Sequence, residues 1–438
     1  MATSTRNSVE SGGATHIAAR ASRRVRTTGR RDASTKRLTI LHVHGRMGRG
    51  GAEMRTVEMF RNIDRQKYRF HFCAMSGLPG ELDDEIRSLG GIVHRMAQEP
   101  VGFSRRLRQL IRRHEYDVVH SHLHFYSGYP LKLAAQCGVP VRVAHFRTTR
   151  DDVVTTPSRR AARILLSRLV HRYATGRMTR RWIDEYATDI LGVSRWVLES
   201  TWGSQWTDDP RCRVVYDALD PGSFEGASDR RAVCREFGLA ESSPLLVHVG
   251  RMAEPKNHVR LVSIFAEVVR REPAARLLLI GRTDAYRGDH AIERRVRARM
   301  AELGIGDRVV FAGERTDVPR LLKAADLLIF PSLWEGLGDV VLEARAAGTP
   351  VLACDLPCVQ EIADRLPGVR CLSLDESDAK WADWAVRLTG RRPSDLERRT
   401  ALEFFRHSEF TVGRCLDTLC RLWDGTASGD ASGGVADG

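Results

Sequence analysis

Residues 327–354 read Leu327-Leu-Ile-Phe-Pro-Ser-Leu-Trp-Glu335-Gly-Leu-Gly338-Asp339-Val-Val-Leu-Glu343-Ala-Arg-Ala-Ala-Gly348-Thr-Pro350-Val-Leu-Ala-Cys354. Four apolar residues predict a buried strand, and the glycine-bearing stretch after Pro331 predicts a loop. A short helix follows from about Val340, with Asp339 placed to cap it; Gly348 and Pro350 end it before a second buried strand. Glu335 and Glu343 bracket the loop-to-helix junction. A helix N-terminus at the carboxyl end of a parallel strand collects backbone N–H groups, and anions bind there.

The same alternation extends over most of the chain. Strands are predicted at 38–44, 68–74, 117–120, 141–145, 190–193 and 213–216, and helices at 52–63, 81–89, 103–113 and 127–137. After a hinge at Asp220-Pro-Gly-Ser, strands recur at 244–250, 275–280, 309–312, 327–330, 351–354 and 369–374, with the 258–271 segment an amphipathic helix through Leu261, Ile264, Phe265 and Val268. Strands alternating with helices predict parallel, doubly wound sheets. The expected architecture is α/β: two Rossmann-like domains facing across a cleft. Its boundaries are a basic disordered tail at 1–37, a first domain at 38–217, a second at 218–406, a C-terminal helix at 407–424 returning to the first domain, and a loose tail at 425–438.

Composition narrows the class. The chain has 438 residues and a net charge of +14, and no run approaches the 18 apolar residues of a membrane span. Residues 1–37 hold nine Lys/Arg against two acids, half of the net charge, without the apolar stretch of a secretory signal. Nine scattered cysteines without a C-x-x-C read as reduced, mostly buried thiols, and with no histidine pair at zinc spacing near them a structural metal site is not expected. The charge alone suggests a nucleic-acid-binding protein, yet no motif for that role is present. The expected location is cytoplasmic.

Two glycine turns point at phosphate. Gly48, Gly50 and Gly51 follow the first strand and let backbone N–H groups approach an oxyanion. Gly250, Arg251 and Lys256 follow the first strand of the second domain, and a planar guanidinium with a point-charge ammonium suits a diphosphate. A diphosphate at the 340 helix would lie between Glu335 and Glu343, each able to accept from a pair of vicinal hydroxyls. This makes 327–354 the donor half of a sugar-nucleotide site.

These motifs together resemble glycosyltransferase family 4, the retaining enzymes of the GT-B fold, over roughly residues 38–424. The Glu335-to-Glu343 spacing is similar to the family's E-x7-E signature, Gly50-Gly51-Ala52-Glu53 to its first turn, and Asp117-Val-Val-His120-Ser-His122 to its D-[IV]-[IV]-H-x-H strand end. The exopolysaccharide and capsule enzymes are the most similar branch. The resemblance implies that Arg251 and Lys256 neutralise the leaving diphosphate and that Glu335 contacts the donor sugar. Glu343 would contact the ribose, and the backbone of Leu337, Gly338, Asp339 and Val340 the phosphates and sugar. Gly50 and Gly51 would cover the diphosphate from the other domain, while Gly281 and Arg315 lie where the family holds the base. His122 is implied near sugar and acceptor with His120 as second candidate; both rings of a His-x-His strand share one face, so the two stay unresolved.

The implied reaction moves a hexosyl group from a UDP- or GDP-sugar to a saccharide or lipid-linked saccharide with retention, without cofactor; no D-x-D occurs, and no metal requirement is expected. A GT-B nucleotide-sugar epimerase is the alternative of the same fold. Asp339 stands where relatives carry an apolar residue or Pro, and Asp217-Ala218 where they carry Asn-Gly. Arg159–Tyr173, a basic amphipathic stretch with Trp182 following, suggests an anionic membrane surface as a further partner, peripheral on the inner face.

Overall fold

The computed structural model describes residues 37–97, 102–149, 176–283 and 290–425. The 159–173 stretch lies outside them, as do all but the last residue of the basic tail and all but the first of 425–438. Among the described residues no helix is long and apolar enough to cross a membrane.

Two wholly parallel sheets form the frame. The first has seven strands in the order β3-β2-β1-β4-β5-β6-β7, from β1 (Leu38–His44), β2 (Tyr68–Ala74), β3 (Ile92–Arg95), β4 (Val118–Ser121), β5 (Val141–Phe146), β6 (Asp189–Gly192) and β7 (Cys212–Val214). The second has six in the order β10-β9-β8-β11-β12-β13: β8 (Leu245–Val249), β9 (Arg276–Ile280), β10 (Val309–Gly313), β11 (Leu327–Phe330), β12 (Val351–Cys354) and β13 (Val369–Leu372). The central strands are buried on both faces, which is why they read as apolar runs rather than alternations. In each sheet the strand order reverses once, between β1 and β4 and between β8 and β11, and ligands of open α/β sheets bind beyond the carboxyl ends at such points.

Two elements differ from the reading of the sequence. β3 was not expected, because Ile92-Val-His-Arg is a four-residue edge strand with Ile92 exposed and too short to show a period. Asp339 does not cap its helix. Gly338 is the N-cap, in the left-handed region at φ 99°, and the helix Asp339–Ala346 starts one residue earlier than expected. Glycine alone enters that conformation without a Cβ penalty, so the turn falls there and the Asp339 carboxylate is released for another partner.

The chain crosses between the sheets twice, side by side. Leu219 N–H donates to the Phe410 carbonyl and Val412 N–H to that of Leu219, both at 2.9 Å. The helix Val412–Trp423 then docks on the first sheet, burying Leu419, Leu422 and Trp423. Full burial of such side chains is worth about 1.5–3 kcal/mol each. Trp423 lies 5.7 Å from the Phe70 ring and 6.0 Å from that of His42, while the Tyr68 hydroxyl donates to Asp424. All nine cysteines are free, five of them buried.

Candidate active site

At the end of β8 the chain turns at Gly250 and reaches Lys256, whose Nζ lies 2.6 Å from Glu335 Oε1. Three features hold this geometry. Gly281, at φ 141°, packs where a Cβ would meet the Gly250 carbonyl oxygen at 2.3 Å. The Leu333 amide donates to the Pro255 carbonyl at 2.7 Å, and the Asn257 side-chain amide to that of Pro331 at 3.0 Å. The loops after β8 and β11 are therefore one unit. Leu337 and Val340 bury their side chains, so what they offer a ligand is backbone.

The first domain contributes a stack of histidines. His42 on β1 is paired in register with His120 on β4, and a period of two puts His44 and His122 on the same face. His145, on β5, joins them through a 3.0 Å contact between its Nδ1 and His120 Nε2. His122 lies 4.2 Å from the His44 ring and 4.5 Å from that of His120. His120 is fully buried, whereas His122 keeps partial exposure. Arg147 Nε donates to His122 Nδ1 at 3.4 Å; the proton is then on Nε2, which donates to His42 Nδ1 at 3.2 Å. Burial, ahead of the neighbouring cations, lowers the pKa of all five rings. The stack is neutral at pH 7. Burial also lowers the Arg147 pKa to about 10. Its guanidinium pairs with Asp217 while Nη2 has no hydrogen-bond partner.

The two faces meet at carboxylates. Arg55, on the helix Gly51–Asn62, lies 2.5 Å from Glu58 Oε2, 2.7 Å from Glu343 Oε1 and 3.4 Å from Asp339 Oδ2. One buried cation thus holds three acids, two of them from the opposite domain. Gly51 faces Asp339, whose Oδ2 would lie 3.5 Å from an added Cβ. Arg282 reaches Glu81 across the cleft at 3.5 Å, and Ser194 Oγ donates to the Gly336 carbonyl at 2.7 Å.

Gly336 carries a testable constraint. A Cβ there would lie 2.1 Å from the Arg147 carbonyl oxygen, which is backbone and cannot swing away. Gly336→Ala is expected to lower stability by about 1–3 kcal/mol, as overpacking does, and to shift the loop carrying Glu335. An unchanged urea midpoint would show that the two segments separate freely.

Glu343 supplies a pH dependence. Burial raises its carboxyl to about 7, although Arg55 pulls the other way. The unfolded carboxyl ionises near 4.5, so between those values the folded protein keeps a proton that the unfolded chain has lost. This contribution to stability is fully present below pH 4.5 and is lost as pH rises through 7. Glu343→Gln cannot ionise, and is expected to gain on the wild type by on the order of 2–3 kcal/mol from pH 4.5 to 8. Denaturant midpoints at the two pH values measure it; a constant gap between the proteins would refute it.

The residues singled out in the sequence fall into three groups. Gly250, Arg251, Lys256, Gly281, Glu335 and Leu337–Val340 belong to the joined loops of the second sheet, while Gly50, Gly51, His120 and His122 lie at the carboxyl ends of β1 and β4. Glu343 is brought to Asp339 and Gly51 through Arg55. Arg315 stands apart: its guanidinium is held at 2.8 Å by both Asp317 and Glu236, beyond β10. Sequence reasoning missed Arg55 and Arg147. Arg55 with Glu58 reads as an ordinary helical i, i+3 pair, and Arg147 as one arginine among many. The only hint was Asp217, an acid in an unusual place, which is the partner of Arg147.

A family model described as Glycosyltransferase Family 4 matches residues 49–222, and one described as Glycosyl transferases group 1 matches residues 229–368. The chain belongs to glycosyltransferase family 4. This glycosyltransferase is 28% identical over 396 residues to the putative glycosyltransferase EpsF of Bacillus subtilis, covering 88% of this chain and 97% of that one. It is 26% identical over 357 residues to the capsular polysaccharide biosynthesis glycosyltransferase CapH of Staphylococcus aureus, covering 81% and 92%. Among solved structures it shares its GT-B fold with Alr3699/HepE of Anabaena in complex with UDP, at a TM-score of 0.70 and 18% identity over 88% of this chain and 99% of that one.

Proposed function

We propose that this glycosyltransferase moves a hexosyl group, with retention, from a UDP- or GDP-sugar to a saccharide or lipid-linked saccharide in polysaccharide biosynthesis. The observation that carries the proposal is the pair of carboxylates at one helix N-terminus, each held by a cation: Glu335 by Lys256 and Glu343 by Arg55. A relative named for capsular polysaccharide biosynthesis, and a protein of the same fold crystallised with UDP, support it.

In this reading the diphosphate lies over the N-terminus of Asp339–Ala346, between Arg251 and Lys256 on one side and Gly50 and Gly51 on the other. Glu335 receives the sugar hydroxyls and Glu343 those of the ribose. The bond from the anomeric carbon to the diphosphate breaks with its electron pair going to phosphate, the acceptor oxygen bonds to that carbon, and the acceptor proton passes to an oxygen of the departing diphosphate. Charge grows on the departing phosphate, where preorganised cations and N–H groups stabilise the transition state most. His122, neutral and with both ring nitrogens engaged by Arg147 and His42, lines the sugar side of the cleft in this reading and does not take a proton. The nucleotide-sugar is a substrate, and the proposed chemistry uses no metal or cofactor.

Thermal-shift screening against UDP, GDP and ADP and their sugars tests the donor, and the anomeric coupling in the product's NMR spectrum tests retention. Stabilisation by at least one uridine or guanosine diphosphate is expected, and is expected to weaken in Glu335→Ala for the nucleotide-sugar more than for the free nucleotide. No stabilisation by any of them would overturn the proposal.

A further inference from the structure

A second cluster of histidines lies outside the catalytic cleft. His71 is in the middle of β2 on the face opposite Phe70 and Phe72, 2% exposed. His94 is on the neighbouring edge strand β3. His114 is the last residue of the helix Phe103–His114, which packs on that face through Leu107 and Ile111. One ligand nitrogen from each ring lies within 4.8 Å of the others. His71 Nδ1 and His94 Nε2 are 3.2 Å apart. Two nitrogens about 2.0–2.1 Å from a tetrahedral zinc are separated by about 3.3–3.4 Å, so this edge of a coordination tetrahedron is already formed. The Tyr116 hydroxyl is 2.7 Å from His71 Nδ1 and 3.4 Å from His94 Nε2.

We propose that His71, His94 and His114 bind one divalent transition-metal ion of the zinc class, with a water in the fourth position hydrogen-bonded to Tyr116. Three imidazoles are a donor set for zinc, copper or nickel rather than for magnesium or calcium. The partly negative C-terminus of a twelve-residue helix, at which His114 stands, favours a cation. The charges facing the cluster are Arg69 and Arg113, both exposed, where water screens them. Two further trios, His42–His44–His122 and His120–His122–His145, have comparable spacing. The buried Arg147 guanidinium contacts their shared His122 and opposes a cation there. The site ties the edge strand and a helix end to β2, and it has no part in the transfer reaction.

The experiment uses the full-length protein stripped with a chelator. Zn2+ is titrated against a competing chromophoric chelator, and Co2+ binding is followed by its visible absorption. One equivalent of bound metal, a tetrahedral Co2+ spectrum and a rise in melting temperature on Zn2+ addition are expected. Each of His94→Gln and His114→Gln is expected to weaken binding by about tenfold or more and to abolish the melting shift, whereas His44→Gln in the cleft leaves both intact. Should the edge variants fail to fold, protection of His94 and His114 from diethyl pyrocarbonate by Zn2+, read by mass spectrometry on the wild-type chain, decides. Absence of saturable binding, binding lost only in His44→Gln, or no protection would overturn the proposal.

Discussion

Lys256→Ala is expected to lower kcat by about 100- to 1,000-fold, the loss that follows removal of one preorganised group stabilising transition-state charge. Two effects act together in the proposed mechanism. The leaving diphosphate loses a cation where negative charge grows, and Glu335, 2.6 Å from Nζ, loses the partner that orients it. The substitution is not expected to unfold the protein, because the loop is also held by Leu333 N–H to Pro255 and by Asn257 to Pro331. Steady-state kinetics with the identified donor check it, and Lys256→Arg separates the two effects. Arginine keeps the charge but presents a fork where the geometry is built for a point donor, so it should recover only part of kcat. A kcat within a few-fold of wild type in Lys256→Ala would remove this residue from the catalytic machinery.

Arg55→Met is expected to have the largest effect on stability, on the order of 3–5 kcal/mol, the cost of removing one partner from buried charges. The substitution leaves Glu58, Asp339 and Glu343 facing one another without their cation, in a place where Arg55 and Glu58 side chains are 9% and 10% exposed. Glu58 also receives the Asp220 amide at 2.7 Å, so the disturbance reaches the crossover between the sheets. Because Arg55 spans the cleft, the loss should appear first as separation of the domains, seen as faster proteolysis near Asp220 and an increased radius of gyration. Measured above pH 7, where Glu343 ionises in the wild type, Arg55→Met with Glu343→Gln should recover part of the loss, since a carboxyl that would have to ionise without its cation is gone; residues in one network do not add. Additivity of the two changes would mean that the 2.7 Å pair contributes nothing.

Much of this molecule was legible from local pattern. Strand, glycine turn and helix recur with a clear period, and buried parallel strands announce themselves as apolar runs, so twelve of the thirteen strands among the described residues were placed within a few residues. The exception, β3, is short and half-exposed, and its place comes from pairing with β2 rather than from its own composition. Glu335 and Glu343 stood out because a loop, a helix start and two glycines coincide around them. Asp339 was misread as a cap, since a residue one position before an apolar run looks like one; the left-handed Gly338 decides otherwise.

By itself the sequence determined the α/β class, the two sheets and the family, because these depend on periodicity, turn chemistry and spacing over a few tens of residues. Only the tertiary structure decided which charges meet. Arg55 and Glu343 are 288 positions apart and Arg147 and Asp217 70 apart, and in a chain with 69 Lys/Arg no local signal distinguishes a buried clasp from a solvated side chain. The same holds for the histidines: His71, His94 and His114 have no common spacing, and they converge because β2 pairs with β3 and one helix ends beside them. Folding brings such groups together through the packing of distant apolar segments, whose geometry is a property of the whole chain.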